Sequence, residues 1–164
     1  MIQAIESFFT NSVGKELAVF FCSMIPVIEC RGAIPLGCGL GLAWYWTFLL
    51  SFAGNLLPVP FILLLIEKII LWMEKSKVKA FQKFASFLRR KVEKHKGKIE
   101  KYSYWGLVLF VAIPLPGTGA WTGSLIAALL GLDVKKSTLA ATLGVTISCT
   151  IMTIGSYLIK SAVT

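Results

Sequence analysis

Two opposite charges two residues apart, Glu29 and Arg31, stand inside the apolar stretch Ile25-Pro26-Val27-Ile28-Glu29-Cys30-Arg31-Gly32-Ala33-Ile34-Pro35-Leu36-Gly37. A carboxylate or guanidinium at membrane depth costs roughly 2.5 to 3.5 kcal/mol on insertion scales, so such residues pair, face a cavity and mark functional sites. The chemistry on offer is ion binding: the carboxylate takes a proton or a cation, and the guanidinium holds an anion. Pro26 and Pro35 each remove a helical hydrogen bond, and Gly32 and Gly37 loosen the backbone, so the stretch is expected to be a broken, re-entrant segment. An unwound backbone there would turn Glu29 and Arg31 to one side. The competing reading is a short aqueous loop with the prolines as turn residues and the two charges solvated.

A second break, Ile113-Pro114-Leu115-Pro116-Gly117-Thr118-Gly119, sits at the centre of a run of 31 uncharged residues from 102 to 132. Free N–H groups around Gly117, Thr118 and Gly119 are expected to form an anion-binding nest assisted by Arg31. Asn55, between Gly54 and the Pro58-Val59-Pro60 step, is a further binding candidate. Its alternative role is an interhelical hydrogen bond contributing on the order of 1 kcal/mol.

The elements that position these residues follow from charge and hydropathy. The 164 residues are 56% hydrophobic and 15% charged, with a mean hydropathy of +0.76, which places the chain among integral membrane proteins. The net charge of +9 does not imply nucleic acid, because twelve of the seventeen basic residues fall between Lys68 and Lys101 and no nucleic-acid motif accompanies them. The N-terminus has no basic region before its first apolar run and no evident cleavage site, so no removable signal is expected. Cys22, Cys30, Cys38 and Cys149 match neither a metal pattern nor a disulfide framework. They read as small buried fillers, with Cys30 and Cys38 expected along a water-accessible vestibule beside the breaks. No metal or cofactor is expected, and His95 reads as a surface residue.

Residues 1–16 carry apolar residues at helical spacing, suited to an amphipathic segment on the membrane surface or to a frayed terminus. Leu17 to Ile28 has twelve uncharged residues, short of the ~20 a crossing needs, so this limb turns back. From Gly32 to Ile66 no charge appears for 35 residues, about 52 Å as a helix, so the run holds more than one element. Cutting it near Gly39 to Ala43 leaves a span from Trp44 to Ile66 that begins with an aromatic belt. Residues 67–101 are basic, and Val78, Phe81, Ala85, Leu88, Val92, His95 and Ile99 form an apolar stripe. A helix over 73–101 lying on anionic headgroups is expected, and the positive-inside rule makes the segment cytoplasmic. A partner helix is the rival reading of the stripe. Within 102–164, the charge-free run from Ser137 to Ile159 is long enough for one tilted span.

The halves correspond: Ile25-Pro26 with Ile113-Pro114, and Gly41-Leu42 with Gly54 as Gly131-Leu132 with Gly144. The predicted fold is therefore a single all-α membrane domain. It is an inverted repeat of two re-entrant helical hairpins, each followed by a transmembrane helix (17–66 and 102–164), joined by a long basic amphipathic helix. Interrupted segments at corresponding positions point to a transporter's midplane site.

The runs Glu29-Cys30-Arg31-Gly32-Ala33-Ile34-Pro35, Gly54-Asn55-Leu56-Leu57-Pro58-Val59-Pro60 and Pro114-Leu115-Pro116-Gly117-Thr118-Gly119-Ala120-Trp121 resemble the small multidrug export protein family. That family looks like a distant relative of the DedA or VTT-domain membrane proteins. The resemblance implies two re-entrant hairpins, a link to lipid movement including polyprenyl phosphate carriers, and a functional core of Glu29, Arg31, Pro35, Pro114, Pro116, Gly117, Thr118 and Gly119. The leading expectation is a transporter or flippase of amphiphilic, phosphate-bearing lipids in a prokaryotic cytoplasmic membrane, with proton coupling through Glu29 and self-association both compatible. The first alternative is a drug/proton exchanger for lipophilic cations, against which Arg31 argues by charge. The second is an adaptor that transports nothing. Enzyme chemistry has no motif to rest on: P-loop, GxSxG and HExxH are all absent from the sequence.

Overall fold

The computed structural model describes residues 12–76, 78–115 and 117–163, and every regular element within them is a helix. In chain order these are α1 (Ser12–Met24), α2 (Glu29–Gly39), α3 (Trp44–Leu56), α4 (Pro58–Lys75), α5 (Lys79–Ala112), α6 (Ala120–Leu129) and α7 (Val134–Val163). Residues 1–11 of the expected amphipathic segment, and Pro116, lie outside the described residues. Helix α1 runs without interruption through the expected division at residue 16.

The first break is shorter than expected and falls earlier. It occupies Ile25–Ile28, closed by Ile25 N–H to the Cys22 carbonyl at 3.2 Å and Ile28 N–H to the Ile25 carbonyl at 3.1 Å. Pro26 accounts for it, since the residue before a proline is driven out of the helical region. Pro35 does not break the chain: α2 continues through Gly32 and Pro35 to Gly39. A proline inside a helix costs about 3 kcal/mol, and the burial of Ala33, Ile34, Gly37 and Cys38 on the same helix offsets it. Glu29 and Arg31 thus stand on the first turn of a helix instead of an extended strand.

Helices α2 and α6 have 11 and 10 residues, about 15 Å each and half of a hydrocarbon core. They end in the same way. Leu42 N–H meets the Gly37 carbonyl at 3.0 Å and Gly41 N–H the Cys38 carbonyl at 3.2 Å; Leu132 and Gly131 do the same to Ala127 and Ala128, both at 3.0 Å. Gly41 and Gly131 hold the left-handed φ this turn requires, +76° and +67°.

Two stretches are long and apolar enough to cross a membrane, Trp44–Ile66 and Val134–Ala162. The first is α3 continued into α4, and the Pro58-Pro60 step interrupts it at Leu57 alone, because Pro58 takes the first helical position of α4, where its missing N–H is not needed. Helix α2 lies parallel to α7, with Cys30 Sγ against Ser148 Oγ at 3.6 Å and, eight residues on in both, Cys38 Sγ against the Ser156 carbonyl at 3.5 Å. Helix α3, folded back by the Gly41 turn, therefore runs antiparallel to α7. Helix α6 packs against α4, α5 and α7.

The corresponding glycines of the two halves do the same work. A Cβ on Gly54 would land on the Phe20 carbonyl and Ser23 hydroxyl of α1, and one on Gly144 would come 2.6 Å from Val111 Cβ and 2.9 Å from the Val108 carbonyl of α5. Neither neighbour is a flexible chain end. Gly54→Ala and Gly144→Ala should each cost about 2 to 3 kcal/mol, a fall of roughly 5 °C or more in thermal unfolding in detergent. Gly155→Ala, where a Cβ meets nothing within 4 Å, should leave the midpoint in place. Equal midpoints in all three variants would disprove the close packing.

The basic region is not one separate helix over 73–101. It divides between the end of α4 and the start of α5, and α5 continues unbroken from Lys79 into the apolar Tyr104–Ala112 turns. The turn forms because Ser76 offers the backbone other partners: its hydroxyl takes Val78 N–H at 3.3 Å and its carbonyl the Gln82 amide at 2.9 Å. Ile70 and Ala85 are buried in the hairpin and Trp72 lies 5.7 Å from Phe81, ring to ring. Leu88, Val92, His95 and Ile99 of the apolar stripe lie outside the described side chains.

Candidate functional site

The first turn of α2 and the segment 113–121 meet in one junction, although more than 80 residues separate them. Arg31 projects its guanidinium into the 113–118 loop. Its Nη1 donates to the carbonyls of Leu115 at 2.7 Å and Thr118 at 2.6 Å, and Nη2 to the Ile113 carbonyl at 3.3 Å and Thr118 Oγ1 at 3.0 Å. The loop is itself tied: Leu115 N–H meets the Ile113 carbonyl at 2.8 Å and Thr118 N–H the Leu115 carbonyl at 3.2 Å. Thr118 Oγ1 stands within 2.9 Å of the Ile113 carbonyl and 2.8 Å of the Leu115 carbonyl. Around Gly117–Gly119, where N–H groups were expected to face an anion, the loop turns carbonyl oxygens toward a cation, and Arg31 is that cation.

Glu29 engages the other end of the same segment. The residue is 3% exposed, and Oε1 accepts the backbone N–H of Trp121 at 3.2 Å. That N–H belongs to the first turn of α6, where the helix presents unpaired donors and partial positive charge. Gly119 makes room: a Cβ there would come 2.7 Å from Glu29 Cδ, and the residue adopts φ +131° and ψ −178°, a region essentially reserved for glycine. Glu29 itself has φ +49°, the one positive φ outside glycine among the described residues. Such a conformation is costly and persists where surrounding contacts dictate it. The Trp121 indole N–H reaches back to the Met24 carbonyl at 3.1 Å, tying the end of α1 to the start of α6.

Of the candidates read from sequence, the structure gathers Glu29, Arg31, Thr118 and Gly119 into this junction. Pro114 is half-buried and Gly117 exposed in the loop, while Pro35 is exposed further along α2. Asn55 is buried on α3, with its Oδ1 unpartnered. Trp121 closed the Pro114–Trp121 run in the sequence, but nothing there showed that both its N–H groups would be used. The expected vestibule thiols are buried, Cys30 at 1% and Cys38 at 6% exposed, because α2 turns both toward α7. Among the described residues no cluster of three His, Cys, Asp or Glu side chains is placed to hold a metal.

Residues 29–151 match the family described as "Putative small multi-drug export protein". The chain belongs to that family. The match opens on Glu29 and takes in both halves of the junction together with Asn55. No curated protein and no solved structure matches the chain. As a member of the small multi-drug export family with two apolar helices of spanning length, the chain is a membrane protein. Its exposed side chains agree: Leu139, Leu143, Ile147, Ile151, Ile154 and Leu158 form an outward apolar stripe along α7, the face a helix turns to lipid.

Proposed function

We propose that the chain exports lipophilic cations in exchange for protons, with Glu29 as the group that holds either one in turn. The observation that carries this reading is the state of Arg31. A bare guanidinium beside the site would repel a cation, but here three carbonyls and a hydroxyl accept from it and turn the negative ends of their dipoles toward it, which weakens its field at Glu29. Glu29 is left as the acid of the membrane interior, because no other Asp or Glu occurs in residues 17–66, 102–132 or 137–159. A proton on Glu29 would weaken its bond to the α6 N-terminus and loosen the junction, and a bound cation would restore the charge. In this reading the halves form an inverted repeat of two re-entrant hairpins whose tips meet at Glu29 and Arg31, and transport is the rocking of one half against the other.

A phosphate-bearing lipid is the second reading. It is favoured by the groove of Lys79, Gln82, Lys83, Ser86 and Arg90 on α5, which would gather anionic headgroups on the cytoplasmic side. It is set second because the loop offers carbonyls where a phosphate needs donors. Liposomes containing the protein separate the two. Under a pH gradient, a fluorescent lipophilic cation should move against proton flux, and Glu29→Gln should fall to the protein-free rate. Movement of a labelled anionic lipid, with none of the cation, would move the assignment to lipid transport. Wild-type cation flux in Glu29→Gln would overturn the proposal.

A further inference from the structure

The two spanning helices meet along buried polar residues that the export reading does not use. On α3, Thr47, Ser51 and Asn55 recur at four-residue steps and are 0%, 0% and 1% exposed, so they share one helix face. On α7, Thr153 and Tyr157 keep the same step. The Thr47 and Tyr157 hydroxyls lie 2.9 Å apart and set the register of the antiparallel pair. Four residues back on α7 for each four forward on α3, Ser51 comes level with Thr153 and Asn55 with Cys149, beside Ser148. The seam begins at the α2–α3 turn, where Tyr157 donates to the Leu42 carbonyl at 2.7 Å. It ends near Cys30, whose neighbour in sequence is Glu29.

Three of these side chains carry buried oxygens with no hydrogen-bond partner: Ser51 Oγ, Asn55 Oδ1 and Thr153 Oγ1. Native structures seldom leave such atoms unmatched, and each one calls for an explanation. A threonine hydroxyl in a helix has an easy local outlet, and Thr138, Thr142, Thr146 and Thr150 all take it, donating to the carbonyl four residues back at 2.8 Å. Thr153, on the same helix but buried, does not. Its oxygen and those of Ser51 and Asn55 are kept for something in the seam.

We infer that this seam is a binding site for a monovalent cation of the size of Na⁺, held between α3 and α7 by Ser51, Asn55 and Thr153. The orphaned atoms are all oxygens, the donor type that hard cations take. They are uncharged, which suits a single positive charge, whereas Ca²⁺ and Mg²⁺ sites recruit carboxylates. Glu29 stands one residue from the cysteine that bonds Ser148, so a carboxylate lies at one end of the seam. A cation there clamps the two spans together, independently of what is exported.

Thermal unfolding of the purified full chain in detergent, followed by tryptophan fluorescence, tests the site without any transport assay. NaCl should raise the midpoint by about 5 °C over choline chloride at equal ionic strength once the site is saturated, and KCl should not. Thr153→Val, which keeps the shape and removes the oxygen, should abolish the Na⁺ shift, as should Asn55→Ala, and Thr153→Ser should keep it. Should Asn55→Ala fail to fold, Thr153→Val decides. Direct ²²Na⁺ binding should be lost in the same variants. A shift equal in KCl or choline chloride, or an undiminished Na⁺ shift in Thr153→Val, would overturn the site and leave bound water as the seam's occupant. Neither result depends on Glu29 or on the export reading.

Discussion

Arg31→Lys is expected to lose nearly as much as Arg31→Ala, in stability and in export alike. The guanidinium spans two carbonyls with Nη1 and a carbonyl and a hydroxyl with Nη2, a spread that a compact ammonium cannot cover. Hydrogen bonds to a charged group contribute about 1.5 to 3 kcal/mol each, and the carbonyls left behind lose their partner. Because two of the four bonds are exposed to solvent, the net loss should be about 2 to 3 kcal/mol, roughly 5 °C or more in the unfolding midpoint of a chain of this length. The other hydrogen bonds of the loop are internal to it, whereas Arg31 ties it to α2, so export should cease even where the protein still folds. Midpoints in detergent and flux in liposomes, read together for Arg31→Ala, Arg31→Lys and wild type, check this. A lysine variant with wild-type midpoint and flux would mean that the carbonyl cradle does not hold the loop.

Gly119→Ala should be the most damaging small substitution in the chain. Two penalties meet there. The backbone at φ +131° is open to glycine and strained by about 1 to 3 kcal/mol for any other residue. The added methyl would also enter the Glu29 carboxylate, 2.7 Å from both Cδ and Oε1, pushing the acid off the α6 N-terminus. Gly117→Ala supplies the comparison: φ +86° carries the backbone penalty, but a Cβ meets nothing within 4 Å. The expected order is therefore Gly119→Ala well below Gly117→Ala in midpoint and in flux. Adding Glu29→Ala to Gly119→Ala should recover part of the midpoint, since the clash goes while the backbone strain stays, and should recover no flux. Equal losses at the two glycines would show that the carboxylate does not lie over Gly119.

Charge spacing marked the runs that could lie in a membrane, because the cost of burying a charge is local and each uncharged run can be measured against a bilayer. The Trp44–Ile66 span follows from it once the run is cut near Gly39 to Ala43, whereas the 31 uncharged residues 102–132 are divided between the end of α5 and the short α6. Ile25-Pro26 marked a true helix end, since proline acts on the residue beside it, and Gly41 and Gly131 marked two turns that need a left-handed residue. Glu29 and Arg31 stood out for the same local reason. Their partners did not, and neither did the fate of Pro35, because each depends on what lies across the fold. Pro35 stays helical since the packing of α2 outweighs one lost hydrogen bond. Pro114 and Pro116 carry no N–H, so the peptides that precede them offer only the Ile113 and Leu115 carbonyls, a bias toward acceptors that the sequence did hold, but nothing local said that Arg31 would be the group to meet them. The tertiary structure decided for the carbonyls, by bringing a guanidinium more than 80 residues away in sequence into the loop and leaving the α6 N-terminus to Glu29.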